Sequence, residues 1–252
     1  MENMNSKTIS EFVAADYRTA AVFKNYGIDF CCKGGRTIAE VCDKKDISAE
    51  ELIDRLEKVT VQANDEVIDF QSWPMDKLAD YIETKHHRYI DRTSPVINEY
   101  LDKLCKVHGD HHPELFEINE QFKAASSELA MHMKKEEMIL FPYIRRMAEQ
   151  VVCETQTTDR NGDEAGLPGF GSVENPIGMM MDEHTIEGDR FRKMSELSDI
   201  YSPPADACNT YRVAYAVLKE FEDDLHMHIH LENNILFPRA IETERDLIGI
   251  EV

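Results

Sequence analysis

An eleven-residue phrase that occurs twice is the feature that most constrains the fold of this chain. It reads HMKKEEMILFP at residues 132–142 and HIHLENNILFP at residues 228–238. Each copy has a histidine, a glutamate four positions later and then Ile-Leu-Phe-Pro. Four residues are just over one helical turn, so the histidine and the glutamate project from one face of a helix. One such pair is typical of a solvated ion pair, but a repeated one predicts a repeated site.

Each phrase has a further histidine upstream at a matched distance. His87 precedes His132 by 45 positions, and His184 precedes His228 by 44. The pattern therefore predicts two helical hairpins, each with one histidine on its first helix and a histidine–glutamate pair on its second. We expect the hairpins to pack into an all-α four-helix bundle, with four imidazoles and two carboxylates near its axis.

Helical periodicity and start signals place the four long helices. Pro95 should bend the first helix, because proline removes a backbone donor. Residues 155–172 are rich in glycine and polar residues and should form a long exposed loop between the second and third helices. The predicted helix starts are Pro74, Glu114, the pair Asn175–Pro176 and Ser202.

The first sixty residues predict a small helical domain, residues 1–62, joined by a weakly periodic linker to the bundle domain, residues 73–252. Gly27 should end its first helical region, and the loop DFCCKGG at residues 29–35 follows. Three short helices are expected, because three capping boxes occur. These boxes are Thr8–Glu11, Thr37–Glu40 and Ser48–Glu51.

Cys31 and Cys32 are the only clustered cysteines among the six of the chain. There is no CxxC pair and no disulfide framework, which indicates a reducing compartment. The pair is either two incidental buried thiols or a functional thiolate pair. Reactivity requires exposure and a lowered pKa, and Lys33 and Arg36 nearby would help to lower it.

The charge of the chain excludes some partners. Lysine and arginine number 28 against 49 aspartates and glutamates, a formal net charge of −21. The electric field of this negative charge repels nucleic acid and disfavours binding to an anionic membrane surface. No apolar stretch of about 20 residues occurs, and the N-terminus lacks the apolar core of a signal peptide. We therefore expect a cytoplasmic protein.

The ligand types indicate which metal the bundle binds. Six ligands in a symmetric set are too many for one zinc ion, which takes about four. Mixed imidazole and carboxylate ligands in a bundle suit a pair of irons or manganeses. If both glutamates bridge, about two octahedral positions on each ion are left for an oxo bridge and a small ligand such as O2, nitric oxide or peroxide. We expect two non-haem iron ions; a structural zinc bundle is the alternative.

Four segments carry a resemblance to a known family: DFCCKGG, HMKKEEMILFP, MMDEH and HIHLENNILFPRA. They resemble the hemerythrin-like di-iron proteins for repair of iron centres, also called iron–sulfur cluster repair proteins, over nearly the whole chain. The resemblance implies a hemerythrin-like bundle in which Glu136 and Glu232 bridge the two irons, with Glu183 as an acidic residue beside the site. The implied ligands are His87, His132, Glu136, His184, His228 and Glu232.

The first ligand is either His86 or His87. The hydrophobic periodicity of the helix favours His86, which lies four positions after Ile82. The segment WPMDKLADYIETKHHRY, however, resembles the family pattern with His87 as ligand. We choose His87. On the fourth helix, His226 and His230 should point away from the site, in solvent or in supporting roles. Three more histidines flank a loop and should be exposed: His108, His111 and His112.

The resemblance implies repair of iron–sulfur clusters damaged by oxidative or nitrosative stress, by iron donation, by nitric oxide chemistry at the di-iron centre, or by both. Damaged iron–sulfur proteins would be the partners, and Cys31, Cys32 and Glu183 would act beside the metal. The alternatives are a hemerythrin-like module that binds or senses O2 or nitric oxide, and a nitric oxide reductase or peroxidase. A homodimer is compatible with the sequence, although no feature specifies one.

Overall fold

The structure, a computed structural model, describes residues 4–61, 68–156 and 171–248, with the backbone alone for residues 152–156. Within these ranges every regular element is helical, apart from an isolated antiparallel bridge. The predicted all-α fold, a four-helix bundle with a small N-terminal helical part, is confirmed. No helix among the described residues combines the length and apolar character needed to cross a membrane.

The N-terminal part contains four short helices: α1 (Ile9–Ala15), α2 (Thr19–Asn25), α3 (Ile38–Lys45) and α4 (Ala49–Val61). The capping boxes at Thr8 and Thr37 form as predicted. Ser48 makes only half of one, because its Oγ accepts the Glu51 N–H at 3.3 Å while the Glu51 carboxylate binds Arg55 instead.

The prediction of three short helices is wrong by one, because the first region divides at Asp16. Asp16 adopts an extended conformation after α1, and its carboxylate accepts the Arg18 N–H at 3.0 Å. The Thr19 hydroxyl then donates to the Asp16 carbonyl at 2.7 Å, which begins α2 without a capping box. Gly27 follows α2 with φ +60°, as expected of a helix stop.

The first hairpin of the bundle consists of two interrupted helices, A and B. Helix A contains α5 (Met75–Tyr81), a π-helical turn (Ile82–His87) and α6 (Arg88–His108). Helix B contains α7 (Glu114–Lys135), a second π-turn (Glu136–Leu140) and α8 (Phe141–Gln156). Pro95 lies inside α6. The irregular part of helix A is the π-turn at Ile82–His87, which precedes Pro95.

The second hairpin has one regular and one interrupted helix. Helix C is α9 (Glu174–Leu197), and helix D contains α10 (Asn209–Leu231), a third π-turn (Glu232–Leu236) and α11 (Phe237–Ile248). Helices A and C each pack against both B and D, which closes the bundle.

Two predicted starts shift in this hairpin. Asn175 is not the N-cap of helix C, because the buried Glu244 carboxylate accepts the Val173 N–H at 2.8 Å and caps the helix from helix D. Helix D begins at Asn209 instead of Ser202, since the chain first runs through left-handed residues 199–201 and a proline-containing turn. Most of the predicted loop 155–172 lies outside the described residues.

The small N-terminal helices share a hydrophobic core with the bundle. Phe23 and Ile38 belong to the same buried cluster as Phe122, Phe191 and Phe221 of helices B, C and D. This packing fixes the small helical part against the bundle. The predicted division at residues 1–62 and 73–252 stays a prediction, because residues 62–67 lie outside the described part of the chain.

Candidate metal centre

The two glutamates of the repeated phrase each begin a π-turn. Glu136 opens the π-turn of helix B, and its carbonyl accepts the Phe141 N–H five residues on. Glu232 opens that of helix D in the same way, with the Phe237 N–H as donor. A proline follows each phenylalanine and has no backbone N–H, so it cannot donate the α-helical hydrogen bond directly after each of these π-turns. The repeat therefore sets the local backbone as well as the side chains.

The π-turn of helix A explains which of two adjacent histidines faces the axis. In a regular helix the residue four after Ile82, His86, would follow it on the same face. Here the Arg88 N–H donates to the Glu83 carbonyl, five residues back, so one extra residue enters the turn. His87 is therefore placed with the other histidines near the bundle axis.

Six buried side chains converge at one level of the bundle: His87, His132, Glu136, His184, His228 and Glu232. They are the six that the resemblance implies as ligands. Each has at most 3 % of its surface exposed. The structure thus brings together the residues predicted from the repeat, and it does so as two overlapping groups of four.

The histidines of the first group come from helices A and D. The Nε2 atoms of His87 and His228 are 3.3 Å apart. His87 Nε2 lies 3.4 Å from Glu136 Oε2, and His228 Nε2 lies 3.0 Å from Glu232 Oε1. Four possible ligand atoms therefore lie within 4.8 Å of one another.

The histidines of the second group come from helices B and C, and they face the other oxygen of each carboxylate. The Nε2 atoms of His132 and His184 are 3.0 Å apart. His132 Nε2 lies 3.3 Å from Glu136 Oε1, and His184 Nε2 lies 3.2 Å from Glu232 Oε2. Each glutamate thus presents one oxygen to each histidine pair, which is the arrangement of two carboxylates bridging two cations.

The donor set fits a pair of cations and fits poorly without them. All four carboxylate oxygens of Glu136 and Glu232 are buried and lack a hydrogen-bond partner in the described part of the chain. Leaving two such carboxylates together in a dry interior costs several kcal/mol, because each charge loses its hydration. Two divalent ions would supply the missing charge to all six side chains.

The pKa values show which protons a metal would replace. Burial would raise the pKa of Glu136, but the neighbouring histidines hold it well below its usual range. Burial would lower the pKa of His132, yet Glu136 and Glu183 raise it to about 10. Without metal, the cluster therefore keeps an ionised carboxylate beside a protonated imidazole. Metal binding displaces such protons from its ligands.

Three of the four histidines are held by an acceptor on their outer nitrogen. His87 Nδ1 lies 3.0 Å from Glu137, and His184 Nδ1 lies 2.9 Å from Asn233 Oδ1. Each acceptor is the residue directly after a bridging glutamate, in the second helix of the same hairpin. A donated Nδ1–H fixes the tautomer that leaves Nε2 free to bind metal. Sequence reasoning missed Glu137 and Asn233, although their equivalent positions in the two phrases carried the signal.

Glu183 supports the third histidine. Its carboxylate lies 2.8 Å from His132 Nδ1 and also binds Lys135. The hydrogen bond from His132 is the main reason that the pKa of Glu183 falls to about 2. Glu183 therefore orients a histidine from outside the cluster and lies beside the site, where the resemblance places it.

The phenylalanine of each phrase packs on the upstream histidine of its own hairpin. The Phe141 ring stacks on His87 with centroids 5.6 Å apart, and the Phe237 ring stacks on His184 at 6.1 Å. These contacts restrict the imidazole planes and keep water from one face of each ring. The Ile-Leu-Phe-Pro part of the repeat thus serves the site as well as the core.

The other histidines of helices A and D lie outside the two groups. His86 Nδ1 lies 3.1 Å from Asp224, and its ring is parallel to that of His228. His230 is buried between Tyr17 and Phe30 of the small helical part, where burial lowers its pKa to about 4. His230 is therefore not solvated, because the N-terminal residues cover its face of helix D.

The DFCCKGG loop lies directly on helices C and D at the level of the metal cluster. Cys32 Sγ is 3.5 Å from the His184 carbonyl oxygen and 3.7 Å from Cys31 Sγ. Both Asn233 and Asn234 donate to the Cys31 carbonyl, at 3.3 and 3.2 Å. Asn233 thus contacts a metal-facing histidine with its oxygen and the cysteine loop with its nitrogen.

The loop requires glycine where it approaches the bundle. A Cβ on Gly34 would lie 2.5 Å from the Phe30 carbonyl oxygen and 3.1 Å from the Asn234 side chain. Arg36 holds the loop shape by donating to the backbone carbonyls of Lys33 and Asp29. Arg36 therefore binds the backbone.

Cys31 does not meet the requirement of a lowered pKa, in spite of Lys33 and Arg36 nearby in the sequence. The hydrogen bond with Cys32, burial and the Asp29 carboxylate raise its pKa well above the usual range. Asp29, Cys31 and Cys32 nevertheless form a third group whose ligand atoms lie within 4.8 Å of one another. A metal ion that displaced the thiol protons would reverse the effect of burial on these sulfurs.

The bundle and its buried histidine–glutamate groups define a cation-binding protein of the hemerythrin type. Comparison with known families agrees, since the hemerythrin HHE cation binding domain matches residues 78–240. A domain of unknown function, DUF542, matches residues 5–60. The predicted hemerythrin-like metal-binding character of the chain is therefore confirmed, while the metal and the number of ions are not given by these matches.

Relatives of nearly the same length identify the family more closely. The iron-sulfur cluster repair protein YtfE of Pectobacterium carotovorum subsp. carotovorum is 33% identical over 239 residues, 94% of this chain and 98% of its own. The iron-sulfur cluster repair protein ScdA of Staphylococcus haemolyticus is 31% identical over 237 residues, 92% of this chain and 97% of its own. The chain belongs to this family of repair proteins, as its motifs predict.

Proposed function

We propose that the chain holds two non-haem iron ions and uses them to repair iron–sulfur clusters damaged by oxidative or nitrosative stress. The observation that carries the proposal is the bridging geometry, in which Glu136 and Glu232 each turn one oxygen to each pair of histidines. The relatives named as iron-sulfur cluster repair proteins support the same function.

The ligand chemistry supports iron over zinc. Each ion would have two imidazole nitrogens and two carboxylate oxygens, and an octahedral ion then keeps about two open positions, which a four-coordinate zinc ion lacks. When bound, the iron pair supplies redox chemistry and open positions for oxygen, nitric oxide or peroxide. The side chains keep this chemistry dry, since all six are nearly inaccessible to solvent.

The bridging glutamates offer a way to release iron as cargo. Their negative charge holds both ions at once, so protonation of either carboxyl would weaken the hold on both. Glu136 is the more strongly stabilised as an anion, because two histidines lower its pKa well below the usual range. Burial and the Glu136 charge would raise the pKa of Glu232, but His228 and His184 lower it below its usual value.

The contacts of the cysteine loop support a role in receiving an ion that leaves the cluster. Cys32 Sγ touches the backbone of His184, and Asp29, Cys31 and Cys32 converge on one point. We propose that this group takes up iron from the bundle and passes it to a damaged iron–sulfur protein. Two thiolates and a carboxylate would bind ferrous iron, and the raised pKa of Cys31 would keep that thiol protonated until the ion arrives.

The test uses an iron–sulfur hydratase whose cluster has lost iron through oxidation, incubated with the full-length iron-loaded protein. Wild type should restore hydratase activity. Cys31→Ala combined with Cys32→Ala should impair restoration while the iron content of the bundle stays unchanged. Cys42→Ala is the matched control, since Cys42 is a buried thiol of the same helical part that lies outside the Asp29 group.

Two outcomes would contradict different parts of the proposal. Full reactivation by the double variant would exclude the thiols as the iron acceptor. Failure of the iron-loaded wild type to reactivate the hydratase, with a reductant present, would contradict iron donation itself.

A further inference from the structure

A second group of nucleophilic and titratable side chains lies at the far end of the bundle. Cys208 is the N-cap of α10 in helix D, 20 residues before His228, which places it about 30 Å along the helix from the metal cluster. The C-terminal residue of α6, His108, meets it there. Neither residue contributes to the candidate metal centre.

Cys208 and His108 form a close pair at the surface. His108 Nε2 lies 3.2 Å from Cys208 Sγ, and the thiol belongs to an exposed residue. Cys208 is the N-cap residue of a helix of 23 residues, so its sulfur lies near the partial positive charge of the first turn, although the side chain makes no capping hydrogen bond. Three features favourable to a thiolate thus coincide: an imidazole, a helix N-terminus and access to solvent.

The acidic residues near the pair, Asp206 and Glu114, share a histidine as partner. His112 Nε2 lies 3.1 Å from Asp206, and its Nδ1 lies 3.1 Å from Glu114. These hydrogen bonds raise the pKa of His112 against the effect of burial, so the imidazole balances part of their charge. The Tyr211 ring has edge contacts to both histidines, whose own ring centroids are 6.4 Å apart.

The pKa of Cys208 differs from those of the other thiols. The Tyr211 N–H, the His108 side chain and the Thr210 N–H lower it to about 7. Burial raises the pKa of Cys105, which lies one turn before His108 on helix A. At this end of the bundle we therefore expect Cys208 to be a reactive thiol and Cys105 an unreactive one.

We propose that Cys208 and His108 form a second reactive site, where an exposed thiolate reduces hydroperoxides. The sulfur attacks the terminal oxygen, the O–O bond breaks and an S–O bond forms. The sulfur loses two electrons and becomes a sulfenic acid, while hydrogen peroxide becomes water. His108 takes up the thiol proton as Cys208 ionises and gives it to the leaving hydroxide, which becomes water. A reducing thiol from solution then forms a mixed disulfide with Cys208, and a second thiol restores it.

The first measurement is site-resolved alkylation of the full-length protein by iodoacetamide, a neutral probe suited to a chain with a net charge of −21. At pH 7 a thiol with a pKa near 7 is about half ionised, against a few per cent for an ordinary thiol, so Cys208 should react at least tenfold faster than Cys105. Its rate should rise through an inflection near pH 7, set by His108, Tyr211, Thr210 and the neighbouring His112 group.

Two matched variants separate the pair from its surroundings. His108→Gln should lower the rate at pH 7 by about fivefold and move the inflection upward, because the hydrogen bond between the His108 side chain and the sulfur is lost. His111→Gln changes an exposed histidine three residues after His108 and should leave the rate within about twofold. Hydrogen peroxide followed by dimedone should label Cys208 as the sulfenic acid in wild type.

The proposal is overturned if Cys208 reacts no faster than Cys105 at pH 7 in the wild-type protein, a result that needs no variant to fold. It is equally overturned if dimedone labels other cysteines in preference to Cys208. Loss of iron from the bundle affects neither measurement, so this site is tested independently of the repair function.

Discussion

Asn233→Leu tests whether the residue after each bridging glutamate tunes the metal site. Asn233 is 7% exposed and accepts from His184 Nδ1 at 2.9 Å while it donates to the Cys31 carbonyl at 3.3 Å. Leucine has a similar volume, so packing changes little. The His184 Nδ1–H would become a buried donor without an acceptor, which costs about 1–3 kcal/mol. The Cys31 carbonyl keeps its bond from Asn234.

The larger effect falls on one of the two cations. Removing an outer hydrogen bond to a metal-binding histidine lowers metal affinity by about 10- to 100-fold. In Asn233→Leu the weakened ion is the one held by His132 and His184. Glu137→Leu acts on the other ion, because Glu137 supports His87. Each variant should therefore keep one tightly held iron and lose the second to a competing chelator.

The assay is chelator competition followed by metal analysis, with thermal unfolding of the metal-free protein beside it. Asn233→Asp is the informative control, because a carboxylate still accepts from His184 and should retain both irons. Asn234→Leu removes a neighbouring amide that does not touch His184 and should also retain both. If Asn233→Leu releases iron no faster than wild type, the assignment of Asn233 as the support of His184 is refuted.

Two further predictions concern stability and are read by urea unfolding. Burial raises the pKa of Glu187 to about 7 despite Arg190, so the folded state favours the neutral carboxyl. That contribution to the free energy of unfolding is fully present below about pH 4.5 and is lost as the pH rises through 7. Glu187→Gln should therefore stabilise the protein at pH 8 by up to about 3 kcal/mol and change its stability little at pH 5. Equal effects at the two pH values would contradict this. Lys24→Met should cost about 1–3 kcal/mol, because it leaves the buried Glu222 without the Lys24 ammonium 2.6 Å away. A cost no larger than that of exposed Lys58→Met would show that the pair does not anchor the small helices.

The repeat predicts most of the site because its spacing is a property of the helix. His132 with Glu136, and His228 with Glu232, share a face for any helix, and the matched upstream histidines follow from the hairpin. Sequence reasoning did not anticipate the π-turns, because they depend on how proline and packing distort a helix. That distortion separates His87 from His86, so periodicity alone favours His86, which lies outside the two histidine–glutamate groups.

Tertiary contacts explain the remaining differences. Asn175 has the chemistry of an N-cap, but a carboxylate from helix D, Glu244, reaches the helix start first. His230 points away from the metal cluster as predicted, yet the small helical part covers it. Arg36 lies close to the cysteines in sequence, although its guanidinium binds backbone carbonyls. None of these partners is near in sequence, so no local pattern contains them.

Iron content per chain in Glu136→Ala, measured beside wild type with the optical spectrum, tests the bridging geometry most directly. Wild type should hold about two irons with near-ultraviolet absorption of an oxo bridge. Because Glu136 faces both histidine pairs, its loss should weaken both ions and remove that absorption, whereas His132→Ala and His228→Ala each remove a ligand of one ion. Zinc alone in the wild type, or two firmly held irons in Glu136→Ala, would contradict a carboxylate-bridged iron pair.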